Sequence, residues 1–348
     1  MVAKAWSLRR CSDKFRKLCS TAFTPRMLHN IPFLRHLITL KLASKYSTGP
    51  LRETLTREFG KERLFGNYGE RSSYLNTKVA VTATDKTGSK AIVIANYSRP
   101  EGEKKRLRPA EYEFLRPDRP RFGFSIADAA AATSAAPSFF KPFEHAHTYR
   151  TYLDGALYHN NPVRLMNHER KLLWPDVAGQ DPDLFLSIGT SQNKADMQAG
   201  QADSTTTASE LNYGERTDEE SARQPTFHMM PQIVSTMRNL MDNILDAEKA
   251  WDKFRSDMCA TSSSASRYVR INPNIGRCPP CLDEVKEIGR LIGDVRASMK
   301  TPESRAQIAR TMHILVASSF YFELLNGPVP NDDGTFSCEG TLSSRTTI

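Results

Sequence analysis

The chain has 348 residues, a length that accommodates one large domain, or one domain with an extension. Its 48 basic and 39 acidic residues give a formal net charge of +9. The basic residues are interspersed with acidic ones, without a polybasic run or a nucleic-acid-binding module, so nucleic acid is excluded as the expected partner. A basic surplus of this kind is compatible with weak peripheral contact with acidic membranes.

Six cysteines in this length are too sparse for a disulfide framework and favour a reducing compartment. We therefore expect a cytoplasmic protein, in peripheral contact with membranes at most. Cys278 and Cys281 have the spacing of a redox or zinc pair, but no second close Cys or His pair accompanies them, so a stiff loop is the favoured interpretation. No metal and no cofactor is expected. The apolar run Ile314–Leu325 is too short and too polar to span a membrane.

Two helices are predicted near the start of the chain. Ser12 is a candidate cap for the first, which should end near Pro25. The second should begin near Thr48 or Gly49, because Pro50 is favourable in a first helical turn and apolar residues follow it at helical spacing.

A β-hairpin is predicted next. The stretch 77–84 alternates apolar and polar residues, and 91–97 is rich in β-branched residues after a turn. The following stretch, 99–121, is rich in charge and proline and is interpreted as a surface excursion.

The stretch 125–162 organises the rest of the sequence. A helix of small residues, 128–135, is followed by a β-rich run, 148–153, that leads into Asp154, Gly155 and Ala156. Residues with little or no side chain after the acid would let another backbone or a substrate approach its carboxylate closely. Asp154 is therefore predicted to lie at the end of a strand, where a general base could act.

Further strands and helices follow. Asn160, Asn161 and Pro162 should open a helix, with an Asn as its cap and the proline at the first helical position. The continuous apolar run 184–188 is typical of a strand buried in a parallel sheet. Alternating strands and helices predict an α/β layered fold.

The segments AAAATSAAPSFFKPF and YLDGALYHNNPV resemble the patatin-like phospholipase family, and KYSTGPLRETLTREFG, TKVAVTATDKTGSKAIVIANY and LFLSIGTSQN resemble its fungal members. The resemblance implies a patatin-like fold with a mainly parallel central sheet flanked by helices. It also implies a serine acyl hydrolase of phospholipase A2 or lysophospholipase type, which cleaves acyl lipids by a Ser–Asp dyad without metal. Asp154 of the D-G-A motif, Asp154-Gly155-Ala156, would be the proton acceptor.

The sequence departs from the family in one respect. Neither the glycine-rich oxyanion loop nor the G-x-S-x-G elbow of the family is found, and the nearest match, around Ser47, has Lys45 in place of the first glycine. We therefore expect this chain to begin just downstream of the nucleophile. His145, His147 and His159 lie near Asp154 in sequence, but the family dyad does without histidine. Whether the chain is an enzyme stays open: it is either most of a lipid acyl hydrolase or an inactive fragment that binds lipid or protein.

The predicted organisation has four parts: a patatin-like domain over 1–192, a disordered polar loop over 193–226, a helical extension packed on the core over 227–330, and a flexible tail over 331–348. The extension should contain a strand at Tyr268–Ile271 and a last helix from Pro302 to Leu325.

Overall fold

The computed structural model describes residues 6–24, 44–65, 77–100, 111–115, 123–191, 247–259, 265–277 and 280–344. These residues fall into two compact units. The first contains the described residues up to Gly179, together with 247–254 and Cys281–Ile288. The second contains the remaining described residues, most of them beyond Gly289. The predicted polar loop, 193–226, lies outside the described residues, and the four-part organisation stays a prediction.

The first unit alternates helices with the strands of one sheet. Its elements in chain order are α1 (Leu8–Ala22), α2 (Thr48–Phe59), β1 (Ala80–Asp85), β2 (Ala91–Ala95), β3 (Tyr112–Phe114), α3 (Ile126–Thr133), β4 (Phe143–His145), β5 (Arg150–Asp154), the short α4 (Ala156–His159) and α5 (Val163–Leu173). A further helix, α6 (Ala247–Met258), begins in this unit.

The central sheet has five strands in the order β3-β2-β1-β5-β4. The predicted hairpin is confirmed, since β1 pairs antiparallel with β2, and Asp85 closes the turn by accepting hydrogen bonds from the backbone of Ser89 and Lys90. β1–β5 and β4–β5 are also antiparallel, and among the described strands of this sheet only β2 and β3 pair in parallel. The prediction of a mainly parallel sheet is therefore wrong. A short turn such as the one between β1 and β2 can join only antiparallel neighbours.

The predicted α/β fold is confirmed, because helices cover both faces of this sheet. Along β2, Ile92 and Ile94 point into a core cluster with residues of α2 and α3. Val93 points to the opposite face, where it packs in a second cluster with Leu165 of α5. β2 is consequently buried along its whole length, which accounts for its unbroken apolar sequence.

Of the two N-terminal helices, only α1 starts at a residue other than the predicted one. Its cap is Ser7, whose side chain accepts a hydrogen bond from the Arg10 backbone, so the prediction of Ser12 as the cap is wrong. α2 begins at Thr48, as predicted. β3 is a second correction, since it lies inside the stretch interpreted as a surface excursion.

The second unit combines a short parallel pair with helices and hairpins. β6 (Phe185–Ile188) pairs with β7 (Tyr268–Ile271), so the two predicted strands are present and form a sheet of their own. The later elements are α7 (Ile288–Ser298), α8 (Pro302–Ala317), β8 (Phe320–Leu324), β9 (Val329–Pro330), β10 (Phe336–Ser337) and β11 (Gly340–Ser344).

The last predicted helix was too long. α8 ends at Ala317, and the aromatic run that follows forms β8, which pairs antiparallel with β11. Three aromatic residues in succession after two serines, Phe320, Tyr321 and Phe322, favour a strand over further helix. None of the helices that the structure describes is long and apolar enough to cross a bilayer.

Candidate active site

The helix α3 leads into a loop that contacts the backbone of Asp154. Ser125 caps this helix in a capping box with Asp128, which is why the helix begins at Ile126, earlier than the predicted start at Asp128. Its alanines are mostly buried, and such small side chains allow the helix to pack closely on the sheet. Just beyond the helix, the carbonyl of Ala135 accepts a hydrogen bond of 3.0 Å from the backbone of Asp154.

Asp154 is the last residue of β5, as predicted. It lies opposite Ala83 of β1. Its carbonyl accepts a hydrogen bond of 2.9 Å from the Thr84 hydroxyl. Its side-chain Oδ1 accepts one of 2.8 Å from the backbone N–H of Ala156. Among the described residues, no hydrogen bond reaches the second carboxylate oxygen, Oδ2.

The electrostatic surroundings of Asp154 suit its carboxylate to act as a general base. Removal of the carboxylate from water raises the pKa of Asp154 to about 6, and the N–H of Ala156 opposes this by stabilising the charged form. The carboxylate is thus mostly ionised at neutral pH, yet binds a proton more strongly than an ordinary aspartate does.

Gly155 is required by packing rather than by its backbone angles. Its φ of −69° is accessible to any residue. A Cβ atom at this position, however, would lie 2.5 Å from the carbonyl carbon of Thr82 and would overlap the carbonyl oxygen and the hydroxyl of the same residue. The close approach predicted for the turn is therefore made by the backbone of β1.

The helix after the D-G-A motif, α5, starts one residue later than predicted and has a different cap. α5 begins at Val163, with Pro162 at the cap position and no side-chain capping bond, and Asn160 already has helical backbone angles. The prediction of an Asn cap is therefore wrong. Asn161 instead donates a hydrogen bond of 2.8 Å to the carbonyl of Ala247, which fixes the loop behind the site.

Residues 1–166 match the model of a family described as patatin-like phospholipase. This stretch belongs to the patatin-like phospholipase family. The match contains Asp154, Gly155 and Ala156, and it supports a lipid hydrolase function at the level of the family.

Curated relatives point in the same direction. The chain is 37% identical over 75 residues to human calcium-independent phospholipase A2-gamma, covering 22% of the chain and 9% of the relative. It is 26% identical to the rabbit protein of that name over 55% of the chain and 22% of the relative. It is 28% identical to a cGAMP-activated phospholipase of Vibrio cholerae over 54% of the chain and 48% of the relative. The chain thus spans less than half the length of each of these relatives, and its likeness to fungal members stays a prediction.

The histidines that are close to Asp154 in sequence contact groups other than its carboxylate. His145 of the patatin-like domain is buried in β4 and stacks on Phe124, with ring centroids 4.1 Å apart. Burial lowers the pKa of both His145 and His159, which favours their neutral form. Among the described residues, no hydrogen bond joins Asp154 to His145, His147 or His159.

Ser47 occupies the N-cap of α2, with extended backbone angles and without a side-chain capping bond. The residues before it are held by Asp283, which pairs with Lys45 and accepts a hydrogen bond of 2.6 Å from the Tyr46 hydroxyl. Ser47 is therefore the N-cap of a regular helix that begins at Thr48, where the sequence predicts a helix with Thr48 or Gly49 near its cap.

A buried cluster around Glu169 of α5 was missed by the sequence analysis. The Glu169 carboxylate is 2% exposed and accepts hydrogen bonds from the hydroxyls of Tyr97 and Tyr112. Arg99 donates from both Nε and Nη2 to the same carboxylate. Burial and the nearby carboxylate raise the pKa of both tyrosines, so their hydroxyls stay protonated as donors. The cluster ties α5 to the β2–β3 edge of the sheet.

A signal for this cluster exists in the sequence. Leu165, Glu169 and Leu172 recur at helical spacing, and all three are buried. A carboxylate on an apolar helix face needs donors from elsewhere in the fold.

The cysteines and possible metal ligands add no further site. Cys281 is exposed, and Cys278 lies outside the described residues, so the pair predicted to form a stiff loop stays a prediction. In the part of the chain that the structure describes, no group of three or more His, Cys, Asp or Glu side chains is placed to hold a metal ion.

Proposed function

We propose that the chain carries the base of a lipid acyl hydrolase, in which Asp154 accepts the proton of a serine hydroxyl. The observation that carries this proposal is the carboxylate itself. It stands at the end of β5, its Oδ1 is held by Ala156, and its Oδ2 accepts no hydrogen bond from the described residues. The family match over 1–166 and the phospholipases among the relatives support a lipid ester as substrate.

The chemistry follows from the nucleophile's need for a base. A serine hydroxyl is a poor nucleophile unless its proton is removed as it attacks the ester carbonyl. Oδ2 of Asp154 takes that proton while the serine oxygen bonds to the carbonyl carbon. The leaving alcohol then receives a proton as the tetrahedral intermediate collapses. An acceptor with a pKa of about 6 can perform both transfers near neutral pH.

The proposal includes the substrate class and the setting. A phospholipid or lysophospholipid, cleaved without a metal ion, agrees with the words "calcium-independent phospholipase A2" in the names of the mammalian relatives. A cytoplasmic location with peripheral membrane contact is proposed from the sparse cysteines and the net charge of +9.

A second candidate is a module that binds lipid or protein without cleaving it. It is favoured by one observation: the sequence contains no G-x-S-x-G, and Ser47, the nearest match, begins an ordinary helix. A patatin-like domain without a nucleophile would keep its surface and lose its chemistry.

A fluorophosphonate serine probe and the hydrolysis of a phosphatidylcholine vesicle separate the two candidates. We expect the 348-residue chain to remain unlabelled. If the transcript encodes a longer in-frame chain that contains a G-x-S-x-G, we expect that chain to be labelled and to hydrolyse lipid, and Asp154→Asn to slow its hydrolysis at least ~1,000-fold. Labelling at Ser47 would contradict the first expectation and identify a nucleophile within the 348-residue chain. Absence of labelling and of hydrolysis in every form would favour the binding module.

A further inference from the structure

The backbone of Asp154 is held on both sides. On one side its N–H donates to the carbonyl of Ala135, at 3.0 Å. On the other side its carbonyl accepts from the Thr84 hydroxyl, at 2.9 Å. The second contact comes from a side chain, so a single substitution can remove it without altering the backbone pairing of β1 with β5.

Thr84 is an unusual residue for its position. It is 0% exposed, on the central strand β1 between Ala91 of β2 and Leu153 of β5, where a hydroxyl is costly unless it is hydrogen-bonded. Valine has nearly the same shape and would satisfy the packing alone. The β-branched side chain of Thr84 restricts its χ1 angle, which limits the directions in which the hydroxyl can point.

We propose that Thr84 is a positioning residue for Asp154: the Thr84 hydroxyl holds the end of β5 so that one carboxylate oxygen is bound by Ala156 and the other accepts no hydrogen bond from the described residues. This inference rests on the proposed function, in which Asp154 is the base. It concerns the orientation of the carboxylate and assigns Thr84 no contact with substrate.

The hydrogen bond from Thr84 to the Asp154 carbonyl can influence the orientation of the Asp154 carboxylate through the turn that follows. Asp154 and Ala156 are two residues apart, and the N–H of Ala156 can reach Oδ1 only while the turn through Gly155 keeps its shape. Gly155 is pressed against Thr82, so β1 contacts this turn at two places. Loss of the Thr84 contact leaves the backbone pairing in place but removes the restraint on the Asp154 carbonyl, and we expect the bond from Ala156 to Oδ1 to weaken with it.

The test uses the amide of Ala156 as a reporter. In the wild-type chain, selectively labelled with 15N-alanine, this amide resonance should shift as Asp154 titrates near pH 6, because its N–H is bonded to the carboxylate. We expect the shift to fall by at least about half in Thr84→Val and to be restored in Thr84→Ser, which keeps the hydroxyl. Asp154→Asn should abolish it and so confirms the assignment.

Thr54→Val is the matched control, because Thr54 is another buried threonine of the first unit, 1% exposed and located on α2. Thr54→Val should change the free energy of unfolding without altering the pH-dependent shift of the Ala156 amide resonance. A Thr84→Val chain that keeps the full titration and loses only stability, as Thr54→Val does, would overturn the proposal. If Thr84→Val fails to fold, Thr84→Ala against Thr84→Ser gives the same contrast. The readout needs no hydrolysis, so a failure of the proposed function is distinguished from a failure of this inference.

Discussion

Asp154 and Glu169 are two carboxylates withdrawn from water in the same unit, and their surroundings are opposite. Glu169 is surrounded by donors, with two tyrosine hydroxyls and the guanidinium of Arg99 on its two oxygens. Among the residues that the structure describes, the Asp154 carboxylate has a single donor, the backbone N–H of Ala156.

The comparison shows what separates a structural carboxylate from a reactive one. A buried carboxylate with every lone pair engaged is stable and has nothing left to react with. A carboxylate whose removal from water is only partly compensated has a raised pKa and an open oxygen, which is what a general base requires. Substitutions at and around these two residues can break or sharpen this contrast.

The largest effect is expected at Glu169. Glu169→Gln would leave the Arg99 charge without its partner, and it would place an amide group among donors. We expect a loss of about 4 kcal/mol in the free energy of unfolding, in the range observed when one member of a buried pair is removed. Urea denaturation measures it.

Glu113→Gln is the matched control for Glu169. Glu113 pairs with Arg150, but the side chains are 30% and 32% exposed, so the loss should be at most about 1 kcal/mol. Equal losses in Glu113→Gln and Glu169→Gln would show that the buried cluster is no more than a surface ion pair in energy.

The next effect is expected at Gly155. Gly155→Ala adds one methyl group that overlaps the Thr82 carbonyl, so β1 and the turn must separate. We expect a loss of about 2 to 3 kcal/mol in thermal or urea unfolding. Gly179→Ala is the control, because nothing lies within 4 Å of its added Cβ. If both variants are equally stable, the close approach of β1 to the D-G-A turn is wrong.

The two carboxylate sites also differ in how far the sequence could predict them. Asp154, Gly155 and Ala156 are consecutive, so the motif and the strand before it are visible in one short stretch. Glu169 meets Tyr97 and Tyr112 from 72 and 57 residues away, and no local pattern encodes which residues will meet at such distances. Its place on an apolar helix face was the one available signal.

The strand directions could not be predicted for a related reason. A buried strand such as β2 is apolar throughout whether its neighbours run parallel or antiparallel, and β2 has one neighbour of each kind. The direction is fixed by pairing between distant segments, as where β5 joins β1 about 70 residues earlier in the chain. The hairpin β1–β2 was predictable because its turn, closed by Asp85, lies between its two strands.

The smallest effect is a gain in stability at Asp154. Its folded pKa of about 6 lies above the ordinary value of 3.8, so the fold favours the protonated carboxyl. The stabilising contribution of that proton is complete below about pH 4 and is lost as pH rises through 6. Asp154→Asn removes the charge, and its Oδ1 can still accept from Ala156.

We therefore expect Asp154→Asn to be about 2 kcal/mol more stable than the wild type at pH 8, and nearly equal to it at pH 4. Urea unfolding at a series of pH values measures the difference. A difference that is independent of pH would mean that the carboxylate is well solvated. Such a result would bring Asp154 closer to an ordinary surface aspartate and remove the contrast with Glu169. A gain that grows between pH 4 and 7 identifies Asp154 as a group held at the expense of stability, as residues selected for chemistry often are.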